Sequence, residues 1–572
     1  MKTRIKTSPL PISRSLHIAS VALLALLLPL TVAAQDSETP GSEAEPFIES
    51  VQTTVVNVEV FVTDRRGNPI KGLTIDDFEV FEDGEPVEVT NFFAVENGQQ
   101  ALEGLEGLPE TERQLRLREL GELPPEQKLH LIIYVDNFNL FPASRNRTLA
   151  RVRNFISGSL NRDDRVMVVS YDRSLHLRQP FTNDKAAIAD ALLGLEELSG
   201  SASLRERERE QALEEISEAD NESYAMSAAR TYAESVEAEL TIGLRGLSRQ
   251  IELLSGLVGR KALIYVSDGI PQVIGEDLFF YVDERFPRAR ARMEAGVFDM
   301  SLKYQNLISK ANAAGITFYS LDARGLRSNS SVSAQYAGTT QGGGLPFIDS
   351  VNNANMREPL HRMADDTGGQ AVTNTNAIEA GLGKFLNDFR NYYSLGYQPT
   401  HFGGGRYYEI DVKVKRDGVK VRHRNGYRDK TAEARLADST LASLLYGAEG
   451  NPLDVDIGFG SSRRDGKSSI VPVEVKIPIG NLTMVPQSGS YLGRIKVAVA
   501  VMDEEGGLSP VEQQAPFTIR VPENEIDLAR SKNYVYEVML AMRPGLSRVA
   551  VTVRDEYTSQ TSFVRRTIKI GA

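Results

Sequence analysis

Between residues 129 and 393 the chain switches repeatedly between two hydrophobic periods, and this alternation restricts its folds more than any other feature. LHLIIYV (129–135), RVMVVSY (165–171), KALIYVS (261–267) and ITFYSLD (316–322) are near-continuous apolar runs of strand length. SRNRTLARVRNFISGSL (144–160), KAAIADALLGL (185–195), MSLKYQNLISKANAAG (300–315), PLHRMADDTGG (359–369) and AIEAGLGKFLNDFRNYY (377–393) carry helical spacing instead. A strand apolar on both sides needs cover on both sides, and helices in the crossovers supply it. The expectation is a doubly wound, mostly parallel α/β sheet of Rossmann-like type over 129–393.

The flanks read differently. VVNVEVFVTD (55–64) alternates, RRGN (65–68) supplies a turn, and Asp83-Gly84 joins two further short strands, so 50–97 is expected to be a small β module. Residues 98–128 read as a linker closed by Pro124-Pro125. Inside the α/β region, 203–259 reads as a helical insertion lying on the sheet edge. Its RERERE start shows no apolar stripe, while Tyr224–Leu257 does. RYYEIDVKVKR, Asp417-Gly418 and VKVRHRNGY make an antiparallel β extension over 394–428. A helical connector follows at 429–447, and 450–572 has the strand and turn spacing of a β-sandwich.

Basic residues up to Arg14 precede the run IASVALLALLLPLTVAA, and Val32-Ala33-Ala34 ends it with small residues, so 1–34 reads as a secretory signal peptide. A polar lead-in covers 35–49. No later stretch approaches the ~18 apolar residues of a membrane span, so the expected product is exported, periplasmic or extracellular, with no span after cleavage. The chain has no cysteine, which excludes disulfides and thiolate metal sites. Its net charge is -12, and the leader contributes four basic residues and no acid, leaving -16 on the remainder. Such a body repels phosphate backbones, so nucleic acid is not the expected partner.

In an open α/β sheet, ligands sit beyond the carboxyl ends of the strands, where the strand order reverses. Two apolar strands end there in an acid, Asp136 and Asp268, and Thr182 in QPFTND adds a hydroxyl just before a helix. Two carboxylates and a hydroxyl are hard oxygen ligands suited to Mg²⁺ or Ca²⁺. The other reading makes each acid a turn former or helix cap.

LIIYVD, QPFTND and ALIYVSDG, in that order, resemble the von Willebrand factor A domain. The flanks VVNVEVFVTDRRGNPIKGLTIDDFEVFEDGEP and NYYSLGYQP with DVKVKRDGVKVRHRNGY resemble its exported bacterial, acidobacterial-type branch, and the likeness spans roughly 50–430. The resemblance implies a non-catalytic protein-binding domain with a metal-ion-dependent adhesion site, open to a carboxylate from the partner. By position the first acid falls on Asp136, the threonine on Thr182 and the distal acid on Asp268. The two serine positions are Phe138 and Leu140, which cannot ligate, so Asn137 or Asn139 would have to supply an amide oxygen. The expected metal set is Asp136, Asn139, Thr182 and Asp268.

Other chemistry finds little support. The histidines stand singly, with neither a His-Glu-x-x-His nor a Gly-x-Ser-x-Gly motif. The Gly/Ser/Thr stretch 328–347 follows the strand ending at Asp322 and reads either as a recognition loop or as disorder. The resulting expectation is a binder of a protein or other envelope ligand. A metal-dependent hydrolase using the same acids and a structural envelope protein are the alternatives.

Overall fold

The computed structural model describes residues 55–101, 123–326 and 344–571, except 402, 448, 449 and 467. The expected leader, the lead-in, most of the linker and most of the Gly/Ser/Thr loop lie outside the described residues.

The central sheet is built from β1 (Leu129–Val135), β2 (Arg165–Tyr171), β3 (Leu175–Thr182), β4 (Arg260–Ser267), β5 (Ile316–Asp322) and β6 (Gln370–Val372). Their order is β6-β5-β4-β1-β2-β3, parallel throughout except for β3, which runs antiparallel to β2. The winding reverses between β1 and β4. Alternate residues of β1 feed opposite cores. Leu131, Ile133 and Val135 pack under α1 (Pro142–Ser159), α2 (Lys185–Gly194) and the later helix Ile378–Arg390, while Ile132 and Tyr134 face the other side.

Local chemistry sets the helix ends. Pro142 opens α1 without forfeiting a needed N–H. Asp184 caps α2 by accepting from Ala186 N at 2.9 Å. Before β5, Gly315 closes the preceding helix at φ 64, a conformation that suits glycine.

The insertion differs from expectation. Helices α3 (Ala202–Glu218) and α4 (Glu222–Leu254) form a hairpin. At 33 residues, α4 is about 50 Å long, roughly twice the length of an eight-residue strand. Since its carboxyl end leads into the start of β4, its other half stands beyond the carboxyl edge. There it packs with α3, α5 (Glu276–Arg285) and α6 (Ala291–Ala295) as a helical cap. The charged run is not wholly solvated either. Arg205, Arg209, Ala212 and Ile216 follow helical spacing, and Arg209 is 4% exposed, bonded to Asp277 at 2.6 Å and paired with Asp349 at 3.3 Å. Two arginines head the buried stripe, which hides it from any count of apolar residues.

The helices α7 (Ser301–Ala314), α8 (Gly344–Asn355), α9 (Glu358–Asp365) and α10 (Ile378–Arg390) complete the domain. The segments expected as a separate β module and β extension form one unit around one core. Val56–Thr63 pairs antiparallel with Tyr392–Tyr397, which pairs in turn with Val89–Glu96, and Phe78–Glu82 pairs with Tyr407–Val414. This unit meets the amino edge of the sheet, where Glu59 lies 3.0 Å from Arg260 and Arg424 donates to Asn312 O at 3.0 Å. After α11 (Ala432–Tyr446), two antiparallel sheets close on a shared core between Leu453 and Ile570. No helix among the described residues is long and apolar enough to cross a membrane.

Candidate functional site

β1 and β4 deliver their terminal acids to a single loop, 137–141, at the switch point. Asp136 N donates to Val266 O at 2.9 Å, so the chain leaves β1 still bonded to β4. The Asp136 carboxylate then folds the loop back by accepting from Asn139 N at 3.3 Å and from Asn139 Nδ2 at 2.6 Å. Tyr265 donates its hydroxyl to the same carboxylate at 2.5 Å. From β4, Asp268 accepts from Phe141 N at 2.8 Å, and its own N–H donates to Asn139 O at 3.1 Å. The two acids are therefore brought together.

Thr182 is not with them. β3 runs antiparallel, so Thr182 pairs with Val166 at the start of β2, on the amino edge, and its hydroxyl accepts from Asp184 N at 3.1 Å. Its place in the expected metal set is corrected by strand direction alone. The segment that does reach the loop is 199–202, which sequence reasoning passed over. Ser199 O accepts from Asn137 Nδ2 at 2.9 Å, and a Cβ on Gly200 would stand 2.5 Å from Leu140 O. A glycine amid serines before a helix was the available signal.

The loop is sealed. Asp136 and Asp268 are each 2% exposed, and Asn139 is 7% exposed. Burial pushes the Asp136 carboxyl above its usual range, against the bonds from Tyr265 and Asn139 and the charge of Arg205. Tyr134 and Tyr265, stacked 5.6 Å apart, are themselves pushed well up by burial and by the neighbouring Asp136. Beneath the loop the fully buried Arg145 donates to Asn137 Oδ1 at 2.6 Å and to Glu196 O at 2.9 Å.

These residues do not fit a divalent cation. Both Asp136 oxygens accept from protein donors, Asp268 Oδ2 accepts from a backbone amide, and Asn139 Oδ1 accepts from Arg205. A Mg²⁺ or Ca²⁺ ion would have to compete with those donors for the oxygens. Among the described residues, no three His, Asp or Glu side chains are gathered as a metal site requires. The adjoining cleft, lined by Phe141, Arg205, Asp268 and Arg324, holds about 50 Å³. One water needs about 10–15 Å³ of such space, so the cleft has room for a few waters.

The histidines stand elsewhere. His361 faces Thr373 at 2.9 Å, and His401 lies 2.8 Å from Glu82 in the β unit. No described histidine therefore meets the loop of the candidate site, whose polar groups bond to one another.

No protein-family model matches the chain, and no curated protein matches it. Solved structures that resemble it include an aerotolerance-related membrane protein from Bacteroides fragilis, at 12% identity and TM-score 0.23, over 45% of this chain and 98% of that one. A von Willebrand factor type A protein from Catenulispora acidiphila resembles it at 9% identity and TM-score 0.23, over 78% of this chain and 66% of that one. The three N-terminal domains of the type V pili tip protein Mfa5 from Porphyromonas gingivalis do so at 10% identity and TM-score 0.23, over 91% and 78%.

Proposed function

We propose that this chain is an exported, non-catalytic binding protein of the von Willebrand A type that engages a protein partner at the carboxyl end of its α/β domain. One observation carries the reading. The three most exposed large apolar side chains among the described residues, Leu302 at 79%, Met293 at 75% and Val297 at 74%, lie within ten residues of one another. Their segment is tied to the loop after β4, since Ile274 N donates to Phe298 O at 3.1 Å and Met300 N to Gln272 O at 2.8 Å. Contiguous exposed apolar patches mark interaction surfaces, and three such side chains on one short segment make it the candidate for one. Leu326, just beyond β5, and Phe347 on α8 are also more than half exposed. The acids of the switch point then serve to fix the loops beneath that surface.

Capture from envelope extract tests this. Wild-type protein is expected to retain a partner, with or without chelator, and Val297→Asp/Leu302→Asp is expected to lose it while unfolding at the wild-type temperature. Retention by the double variant would rule this surface out. Turnover in a hydrolase screen that disappears in Asp136→Ala would favour the enzyme reading.

A further inference from the structure

Arg205 lies in the first turn of α3, where the helical cap meets the loop after β1. Its guanidinium makes three contacts, two with the loop after β1 and one with α4. One nitrogen, Nη1, donates to Asn139 Oδ1. The other, Nη2, lies 3.4 Å from Glu239 Oε2 on α4. The guanidinium carbon stands 4.6 Å from the centroid of the Phe138 ring. Asn139 passes the first contact on, since its Nδ2 donates to Asp136 at 2.6 Å. A fixed positive charge thus reaches a buried carboxylate through one amide, and Arg205 is among the groups that hold the Asp136 carboxyl down against burial.

The arrangement meets a definite need. A carboxylate taken out of water has to be compensated by a cation, by hydrogen bonds or by both. Here Tyr265 and Asn139 supply the bonds, and Arg205 supplies the charge. The other asparagine of the loop is held in the same way, by the Arg145 guanidinium from beneath. Phe138 and Leu140, which bring no oxygen, fit this plan: Phe138 gives the guanidinium a ring face, and Leu140 is wholly buried.

We infer that Arg205 is a resident cation: it compensates Asp136 through Asn139, fastens the helical cap to the carboxyl edge, and keeps Mg²⁺ and Ca²⁺ from these residues. A divalent ion here would have to displace the guanidinium from Asn139 and then share the cavity with it, like charge against like charge.

The test uses the full chain. Titration calorimetry with magnesium chloride and with calcium chloride is expected to show no saturable heat. The unfolding temperature is expected to be the same in chelator and in millimolar magnesium at matched ionic strength. Arg205→Met should lower the unfolding temperature, because it leaves the buried carboxylate uncompensated. Adding Asp136→Asn to it should restore most of the loss, since the charge needing compensation is gone. Saturable heat in the wild type that vanishes in Asp136→Asn overturns the inference, as do additive losses in the double variant. If Arg205→Met alone does not fold, a folded double variant supports the inference and an unfolded one overturns it.

Discussion

Asp268, the residue after β4, accepts a hydrogen bond from the backbone of Phe141, the last residue of the loop after β1, at 2.8 Å. One acid thereby ties together the two strands between which the winding reverses. Asp268→Ala leaves the Phe141 amide without this acceptor, and the expected cost is about 1–3 kcal/mol in chemical denaturation. Asp268→Asn keeps an acceptor oxygen and is expected to cost less. Equal losses in the two variants would assign the effect to charge instead of to this bond.

Asp136 gives the fold a pH dependence. Its carboxyl is raised by burial, so the folded state binds a proton more readily than the unfolded chain does. Its contribution favours folding at low pH and is lost as pH rises through the raised value. Asp136→Asn removes that loss and gives up one acceptor oxygen, a cost that does not vary with pH, so the variant is expected to gain on the wild type as pH rises from acid to neutral. Thermal unfolding of both proteins across that range reads the difference. A growing deficit in the variant instead would mean that the charge contributes more than burial costs.

His130 has the reverse sign. Burial, with Lys261 and Arg165 nearby, lowers its pKa from 6.5 to about 4, so the folded state holds it neutral. Stability is therefore lost as pH falls from 6.5 towards 4, by an amount of the order of 3 kcal/mol for this one group. His130→Gln is expected to flatten that part of the difference curve. Parallel pH profiles for variant and wild type would contradict it.

Gly200→Ala tests the loop that sequence reasoning passed over. Its Cβ would stand 2.5 Å from Leu140 O, backbone that cannot swing away like a side chain, so the loop must shift. The expected loss is about 1–3 kcal/mol, as for an overpacked core. Gly158→Ala, where an added Cβ meets nothing within 4 Å, is the control and is expected to be neutral or mildly stabilising.

The four long central strands and the helices between them were legible because buried strands and amphipathic helices write their period locally. Asp136 and Asp268 were legible for the same reason, each ending such a run. Direction was not written locally. QPFTND reads as a loop before a helix, so the antiparallel strand that ends at Thr182 stayed hidden and Thr182 went to the wrong edge. Arg205 and Arg209 were hidden because a buried stripe headed by arginines scores as a charged surface. The single β unit was invisible because Val56 meets Tyr397 across more than three hundred residues, a pairing that no local pattern encodes.

That pairing also has a mechanical meaning. The strand entering the α/β domain's neighbourhood and the strand leaving it, 56–60 and 393–397, lie side by side, so the whole domain is spliced in as a loop of one antiparallel ladder. Tension applied between the two ends of the chain is carried across that ladder, and the residues between 129 and 390 stay outside the line of force until it parts. A surface held there keeps its shape while the molecule that displays it is being pulled.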